Sequence, residues 1–313
     1  MSLWLSFLLV SLAYAEDGIF FLRDNSLVAP FAGSWNSYGS TVLTANHISL
    51  TTNVKGATGG IFNIYPLYSR DWEVRLGFKV HGSTGSMFGD GFAFWYTQDR
   101  IKPGHALGGA EHFRGLGIFF DTYNNHNGEH SHQHPYISAM VSNGSIVYDH
   151  DKDGTHTQLA GCHSSFRNHE NGAQAKIRYE KEKLTVYIDV GAKSKWTECF
   201  SVHGVKLPTG YFLGLSAATG DLTDNHDILF LKTYDVHVQY TAEQLLEDRT
   251  LIEPFAATAE AEREHIEDTN RPSRWGKFAQ IIWWLFIVTL FVGGCCIAYY
   301  LYQGRQSRLK RLY

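Results

Sequence analysis

From Phe278 to about Tyr302 the chain reads FAQIIWWLFIVTLFVGGCCIAYYLY, without one charged residue. Nothing else in the sequence restricts the fold as strongly. In lipid every backbone amide of such a run needs a partner within the segment, and a helix supplies them all. The run exceeds the roughly 20 residues that a helix needs to cross a bilayer. Trp275, Trp283 and Trp284 at one edge and Tyr299, Tyr300 and Tyr302 at the other suit the headgroup region. Arg305, Arg308, Lys310 and Arg311 follow without an acidic residue, so the positive-inside rule puts that end in the cytosol. A second apolar run, Met1 to Ala15, ends in the small-x-small pattern Ala13-Tyr14-Ala15 and reads as a cleaved signal peptide. The expected order is a signal peptide 1–15, a lumenal body 16–240, an acidic stalk 241–277, one transmembrane helix 278–302 and a cytosolic tail 303–313.

The cysteines agree with that address. Cys162 and Cys199 lie in the body, whereas Cys295 and Cys296 lie in the span and pack in lipid. In an oxidising compartment the lumenal pair closes into a disulfide, the alternative being two buried thiols. Asn143-Gly144-Ser145 is an N-glycosylation sequon on the lumenal side, and its Asn-Gly step is equally a hairpin signal that predicts an exposed tip. The net charge of -4 argues against a nucleic-acid surface.

Within the body the periodicity is that of strands. In WEVRLGFKV, Trp72, Val74, Leu76, Phe78 and Val80 alternate with Glu73, Arg75, Gly77 and Lys79, and LTVYIDV repeats the pattern at Leu184, Val186, Ile188 and Val190. Many short strands between Gly, Asn, Asp and Pro clusters predict an all-β antiparallel sandwich. After Thr241 the composition turns acidic and Pro254 interrupts any helix, which predicts a flexible or partly helical stalk rather than a coiled coil. Homo-oligomerisation stays open.

The polar residues with chemistry to offer sit at strand ends. Gly89-Asp90-Gly91 precedes FAFWYT, Asp121-Thr122-Tyr123-Asn124-Asn125 follows GLGIFF, and YDHDKDG runs from Tyr148 to Gly154. Calcium prefers six to eight hard oxygen ligands. Asp121, the Tyr123 carbonyl and the Asn125 side-chain oxygen repeat every second residue, so an extended chain turns them one way. Asp153 from a neighbouring loop adds a second negative charge.

Together with WYTQDR, FFDTY, PYIS, NGS, LAGC, LPTGYFLG and ATGDLTDNHD in that order, these segments resemble the leguminous-type (L-type) cargo-receptor lectins from about Asp24 to Val238. The short stalk and the terminal Lys310-Arg311-Leu312-Tyr313 are similar to the vesicular integral membrane protein branch. The resemblance implies a concanavalin-like jelly-roll sandwich. Its calcium ligands would be Asp121, Tyr123, Asn125 and Asp153, its sugar contacts Asp90, Tyr123, Asn124, Asn125, His150, Gly220, Asp221 and Leu222, and its disulfide Cys162 to Cys199. It also implies a cis peptide before Asp90. The expected function is calcium-dependent binding of high-mannose N-glycans on cargo glycoproteins moving between endoplasmic reticulum and Golgi. Lys310 and Arg311 resemble a dibasic retrieval signal, and Leu312 and Tyr313 an export signal, for vesicle coat components. One position departs: where relatives place a serine, Lys55-Gly56-Ala57-Thr58 offers Gly56, and Thr58 is the nearest hydroxyl in sequence.

Two further readings concern histidine. His126, His130, His132 and His134 crowd the loop after Asn125, and the alternate spacing of the last three suits zinc, the plainer alternative being an exposed loop. His150 adjoins both expected positions, so its protonation predicts acid-favoured glycan release. Two other functions compete. A calcium-independent protein-binding adaptor or quality-control factor would explain Gly56. A glycoside hydrolase would need two carboxylates about 5 to 10 Å apart across the bond, and no paired Glu motif sits on a core strand, so a non-enzyme is expected.

Overall fold

The computed structural model describes residues 18–31, 33–82, 88–125 and 132–256, and in the apolar C-terminal run 283–285, 287–290, 292–294, 297 and 299. The signal-peptide run, the stalk beyond 256, Cys295, Cys296, His126, His130 and the sorting residues Lys310, Arg311, Leu312 and Tyr313 lie outside these.

The strands of the two large sheets are, in chain order, β1 Ile19–Leu27, β2 Trp35–Gly39, β3 Val42–Leu43, β4 Ile48–Thr51, β5 Thr58–Asn63, β6 Trp72–His81, β7 Gly91–Thr97 and β8 His112–Asp121, then β9 Tyr136–Val147, β10 Ala160–His163, β11 Ala173–Glu180, β12 Lys183–Val190, β13 Thr197–His203, β14 Phe212–Ala218 and β15 Asn225–Val236. They form two antiparallel sheets. One runs β13-β12-β11-β6-β15-β4-β3, with β1 also on β15, and the other runs β10-β9-β8-β7-β14-β5-β2. This is the all-β sandwich that the alternation predicts. Trp72, Val74, Leu76, Phe78 and Val80 of β6 are buried in the main core with Phe92, Phe94 and Tyr96 of β7.

Period two reads only half of β7, because all seven of its residues are buried. Ala93 and Trp95 on its other face join Leu107, Phe113, Phe119, Met140 and Tyr148 in a second apolar cluster. Trp95 donates its indole N–H to Ser216 Oγ at 2.8 Å, so the covered face also satisfies its polar groups.

Two expectations shift. Asn143 and Ser145 lie inside β9 rather than at a hairpin tip: the register slips between Arg114 and His112, and Asn143–Ile146 bulge outward. Asn143 Oδ1 there accepts from Ser145 N at 3.1 Å. The body also continues past 240. A short helix, Ala242–Leu245, carries a capping box at Thr241, and Phe255–Ala256 then pairs with Val205–Lys206. The buried Arg249 fastens this return by donating to Tyr179 Oη at 3.2 Å, Leu207 O at 3.1 Å and Glu182 Oε1 at 3.2 Å.

In the C-terminal run the described residues are helical, and Thr289 Oγ1 donates to Leu285 O at 2.6 Å. Among the described residues no helix is long and apolar enough to cross a membrane.

Cys162 and Cys199 form the expected disulfide, and it joins β10 to β13, the edge strands of the two sheets. Its ends are 37 residues apart. Loop-closure entropy at that length is about 4 kcal/mol, and native disulfides contribute about 2–5 kcal/mol. The double variant Cys162→Ser/Cys199→Ser is therefore expected to lose about 2–4 kcal/mol in urea unfolding, and an unchanged midpoint would contradict this account.

Candidate functional site

One row of paired residues crosses the end of the second sheet: Tyr136 of β9, Asp121 of β8, Gly91 of β7, Ala218 of β14 and Thr58 of β5. Gly89-Asp90-Gly91, Asp121–Asn125 and the loop after Ala218 leave their strands at this row, whereas YDHDKDG leaves the far end of β9 and returns to it, with Asp153 accepting from Asn125 N. The sheet thereby gathers residues from 90 to 220 at a single edge.

Asp90 is held by its backbone. Its N–H donates to Ala218 O at 3.2 Å, and its carbonyl accepts from Thr122 N and Thr122 Oγ1, both at 2.9 Å. The Gly89–Asp90 peptide is cis, as the resemblance implied. Burial raises the carboxyl pKa, and the nearby His150 opposes that rise. A Cβ on Gly220 would lie 3.2 Å from Asp90 Oδ2, so the bare glycine backbone approaches the carboxylate directly. Gly89 in turn sits against Tyr123 and Leu222.

Asn125 links the two loops. Its backbone N–H donates to Asp153 Oδ1 at 3.0 Å, while Nδ2 donates to His150 O at 3.2 Å and lies 3.3 Å from His150 Nε2. The amide oxygen is left as its remaining acceptor. YDHDKDG folds as a single 3-10 turn, His150–Lys152, closed by Asp153 at φ 53. Gly154 follows at φ +64, where a Cβ would come within 2.4 Å of the Tyr148 ring. Glycine there lets the turn rest on the second core, and Tyr148 stacks on Phe119 at 4.0 Å.

Below these groups lie two buried carboxylates. Asp121 and Asp153 are 3% and 4% exposed, which makes water a poor counterweight to their charge. Asp121 Oδ1 accepts from Tyr123 N at 3.0 Å, but its Oδ2 has no hydrogen-bond partner. Burial and then the charge of Asp153 push the Asp121 pKa well above the carboxylate range. Two anions with an orphaned, buried oxygen and a neighbouring amide oxygen suit a hard divalent cation. Calcium fits this donor set.

A third side chain completes the centre: His134 Nε2 lies 3.9 Å from Asp121 Oδ2 and 4.0 Å from Asp153 Oδ2. The donor atoms of all three lie within 4.8 Å of one another. The sequence placed His134 in a histidine-rich loop with His132, yet His132 stacks on Tyr136 at 4.1 Å instead. Register is the signal that finds it. Tyr136 pairs with Asp121, which sets the residues just before β9 beside that carboxylate.

The remaining expected residues divide. Asn124 donates Nδ2 to His132 O at 3.3 Å. The Asp221 side chain is 98% exposed beside Lys55, which leaves its backbone as the part nearest the cluster. Gly56 does belong at this edge: its N–H donates to Gly220 O at 3.1 Å, and Thr219 Oγ1 donates to Val54 O at 2.6 Å and accepts from Ala57 N at 2.9 Å. At φ +64 with nothing within 4 Å of a Cβ, Gly56 has room for a side chain but a backbone that favours glycine. Thr58 is already in β5, opposite Ala218.

Three comparisons bear on this geometry. The legume-like lectin family model matches residues 21–243. The vesicular integral-membrane protein VIP36 of Homo sapiens is 40% identical over 305 residues, covering 93% of this chain and 85% of the relative. The crystal structure of the VIP36 exoplasmic/lumenal domain in its Ca2+/Man3GlcNAc-bound form superposes with a TM-score of 0.73 at 44% identity, covering 76% of this chain and 99% of that one.

Proposed function

The chain belongs to the legume-like lectin family, and from that premise we propose that it is a calcium-dependent lectin for high-mannose N-glycans, acting as a receptor for cargo glycoproteins between endoplasmic reticulum and Golgi. One observation carries the reading: Asp90, Asn125, His150 and the Gly220 backbone converge at one sheet edge, directly above the buried pair Asp121 and Asp153. Asp121, the Tyr123 carbonyl, Asn125 and Asp153 would hold calcium, which supplies positive charge that neutralises the two carboxylates. Asp90 accepts from sugar hydroxyls, and Gly220 lets amide donors reach the ring. Tyr123, 39% exposed and packed on Gly89, offers an apolar face beside them. Holding these groups in place beforehand is what lets a small, strongly hydrated ligand bind at all.

The VIP36 lumenal domain carries Ca2+ and Man3GlcNAc in its solved form, and it supports the same ligands here. The rest of the chain takes the arrangement its sequence predicts: signal peptide, stalk, one span and a basic cytosolic tail. The helical residues described within that span, with Trp283, Trp284, Leu285, Val288 and Leu290 all exposed, agree with a lipid-facing helix. Residence in the endoplasmic reticulum, the intermediate compartment or the Golgi follows from the tail signals, which coat components would read.

A calcium-independent adaptor is the second reading, and Gly56 favours it by lacking a hydroxyl at the sugar edge. The purified full chain on a glycan array separates the two. Retention of high-mannose glycans with calcium, abolished by chelator, is expected. Cargo capture that ignores chelator, without glycan retention, would establish the adaptor instead.

A further inference from the structure

We propose that the outer face of the first sheet docks an acidic, amphipathic segment of a partner polypeptide. What reads that segment is a row of three cations set among aromatic rings. Lys232 of β15 pairs with Arg75 of β6, and Arg75 pairs in turn with Lys176 of β11, so the three stand directly opposite one another on adjacent strands. Their chain neighbours Val74 and Leu76, Ala175 and Ile177, and Leu231 and Thr233 are buried, which turns all three side chains outward. Like charges directly opposite across a sheet are destabilising. Folding alone therefore gives no reason for the row. Tyr187 of β12 continues it past Lys176, and Glu198 of β13 ends it. The Asp90 edge lies at the end of the other sheet, so this face is independent of the sugar reading.

Carboxylates do not cancel the row. Glu73 accepts from Arg75 Nε at 2.7 Å, but its other oxygen is taken by Arg178 Nη1 at 2.9 Å, and Glu180 accepts from that same arginine. Lys176 and Lys232 make no ion pair with a described residue and lie on rings instead. Lys176 Nζ is 4.6 Å from the centre of the Tyr187 ring and 5.0 Å from that of Trp196, and Lys232 Nζ is 5.0 Å from that of Phe230. The Arg75 guanidinium is 4.9 Å from the centre of the Tyr234 ring. A ring attracts a cation through its quadrupole yet carries no net charge, so the positive field stays open to solvent. The rings also hold the long side chains in place, which lowers the entropy lost when a partner binds. Cations alternating with half-buried rings offer charge and apolar contact together. Adjacent strands lie about 4.8 Å apart, and side chains three or four apart on a helix stand about 5–6 Å apart. A helix with carboxylates at that spacing and apolar residues beside them meets both features of the row.

The test is fluorescence anisotropy of a labelled helical peptide, with glutamate at every fourth position and leucine beside it, titrated with the full chain in detergent. Wild type is expected to bind it, to bind it more weakly as salt is raised, and to ignore the matching lysine peptide. Lys176→Glu/Lys232→Glu should weaken binding by about tenfold or more, since each reversal turns an attraction into a repulsion. Lys102→Glu/Lys206→Glu, an equal change of net charge at exposed lysines off this sheet, should stay within about twofold. Lys176→Gln/Lys232→Gln repeats the comparison should the reversed variant fail to fold, with an expected loss of about threefold or more. No binding by wild type, or equal losses from the two pairs of reversals, overturns the proposal. Tighter binding to phosphatidylserine vesicles than to the peptide, lost in the same Lys176 and Lys232 variants, also overturns it by making the row a lipid contact.

Discussion

Asp121→Asn is expected to weaken calcium binding by at least about a hundredfold and to abolish retention on high-mannose glycans. The substitution keeps the size of the side chain and an oxygen that can still accept from Tyr123 N, so the loop need not move. What it removes is one of two negative charges in a centre nearly closed to water. Breaking a buried charge pairing costs about 3–5 kcal/mol, and each 1.4 kcal/mol is tenfold. The metal-free protein should respond in the opposite sense. With no cation present, ionised Asp121 faces Asp153 and Asp90, and its raised pKa means that the folded state resists ionisation. A carboxyl whose folded pKa exceeds its unfolded one loses stability as pH climbs from the unfolded value toward the folded value. The chelated wild type should therefore lose thermal stability as pH rises above the ordinary carboxylate range. Asp121→Asn should flatten that slope and match or exceed wild type at neutral pH. Calcium affinity of the wild type runs the other way, falling with pH because protons compete for the same oxygen. Thermal melts with calcium and with chelator, at several pH values, read all three, and a destabilised metal-free Asp121→Asn would refute the account.

Arg167→Ala is the second substitution with a large expected effect, about 3–5 kcal/mol of lost stability in denaturant unfolding. Arg167 grips Asp224 with Nε to Oδ2 and Nη2 to Oδ1, both 2.7 Å, and its guanidinium lies 3.9 Å from the centre of the Phe88 ring. Asp224 is fully buried, so removing the arginine strands a carboxylate in the interior. Burial already raises its pKa although Arg167 opposes the rise. The position matters as much as the energy. Asp224 follows the Gly220–Leu222 loop and Phe88 precedes Asp90, so this one pair ties together both segments proposed to face the sugar. Glycan affinity should fall along with stability. Replacing both partners by apolar residues, Arg167→Met/Asp224→Leu, should recover most of the stability, because no uncompensated charge remains. A double variant as unstable as the single one would show that the pair does more than satisfy itself.

Strand positions were the most legible part of the chain. The alternation in WEVRLGFKV reports a face against the core, and Trp72 to Val80 lie there. FAFWYT carries no such contrast because its sheet is covered on both sides, and period two is silent when both faces are apolar. At the site, Asp90, Asp121, Asn125 and Asp153 were readable because each ends a strand or opens a turn in a recognisable string. His134 was not, since nothing between Asn125 and Pro135 reveals which residue meets Asp121 until the strands are in register. The end of the body was misplaced at 240 for a related reason. Acidic composition suggested a stalk, but what holds residues 241–256 is a long-range strand pairing and one arginine, neither of which leaves a local pattern.

That return strand has a mechanical consequence. Under the proposed anchoring and cargo capture, tension would run along the chain. Tension arriving past Ala256 would meet the Phe255–Ala256 pairing and the Arg249 fastening before it reaches β15, an interior strand of the first sheet. The fastening therefore stands in the line of that load ahead of the sheets, and it would bear the tension before the edge that carries Asp90 and Asn125 does.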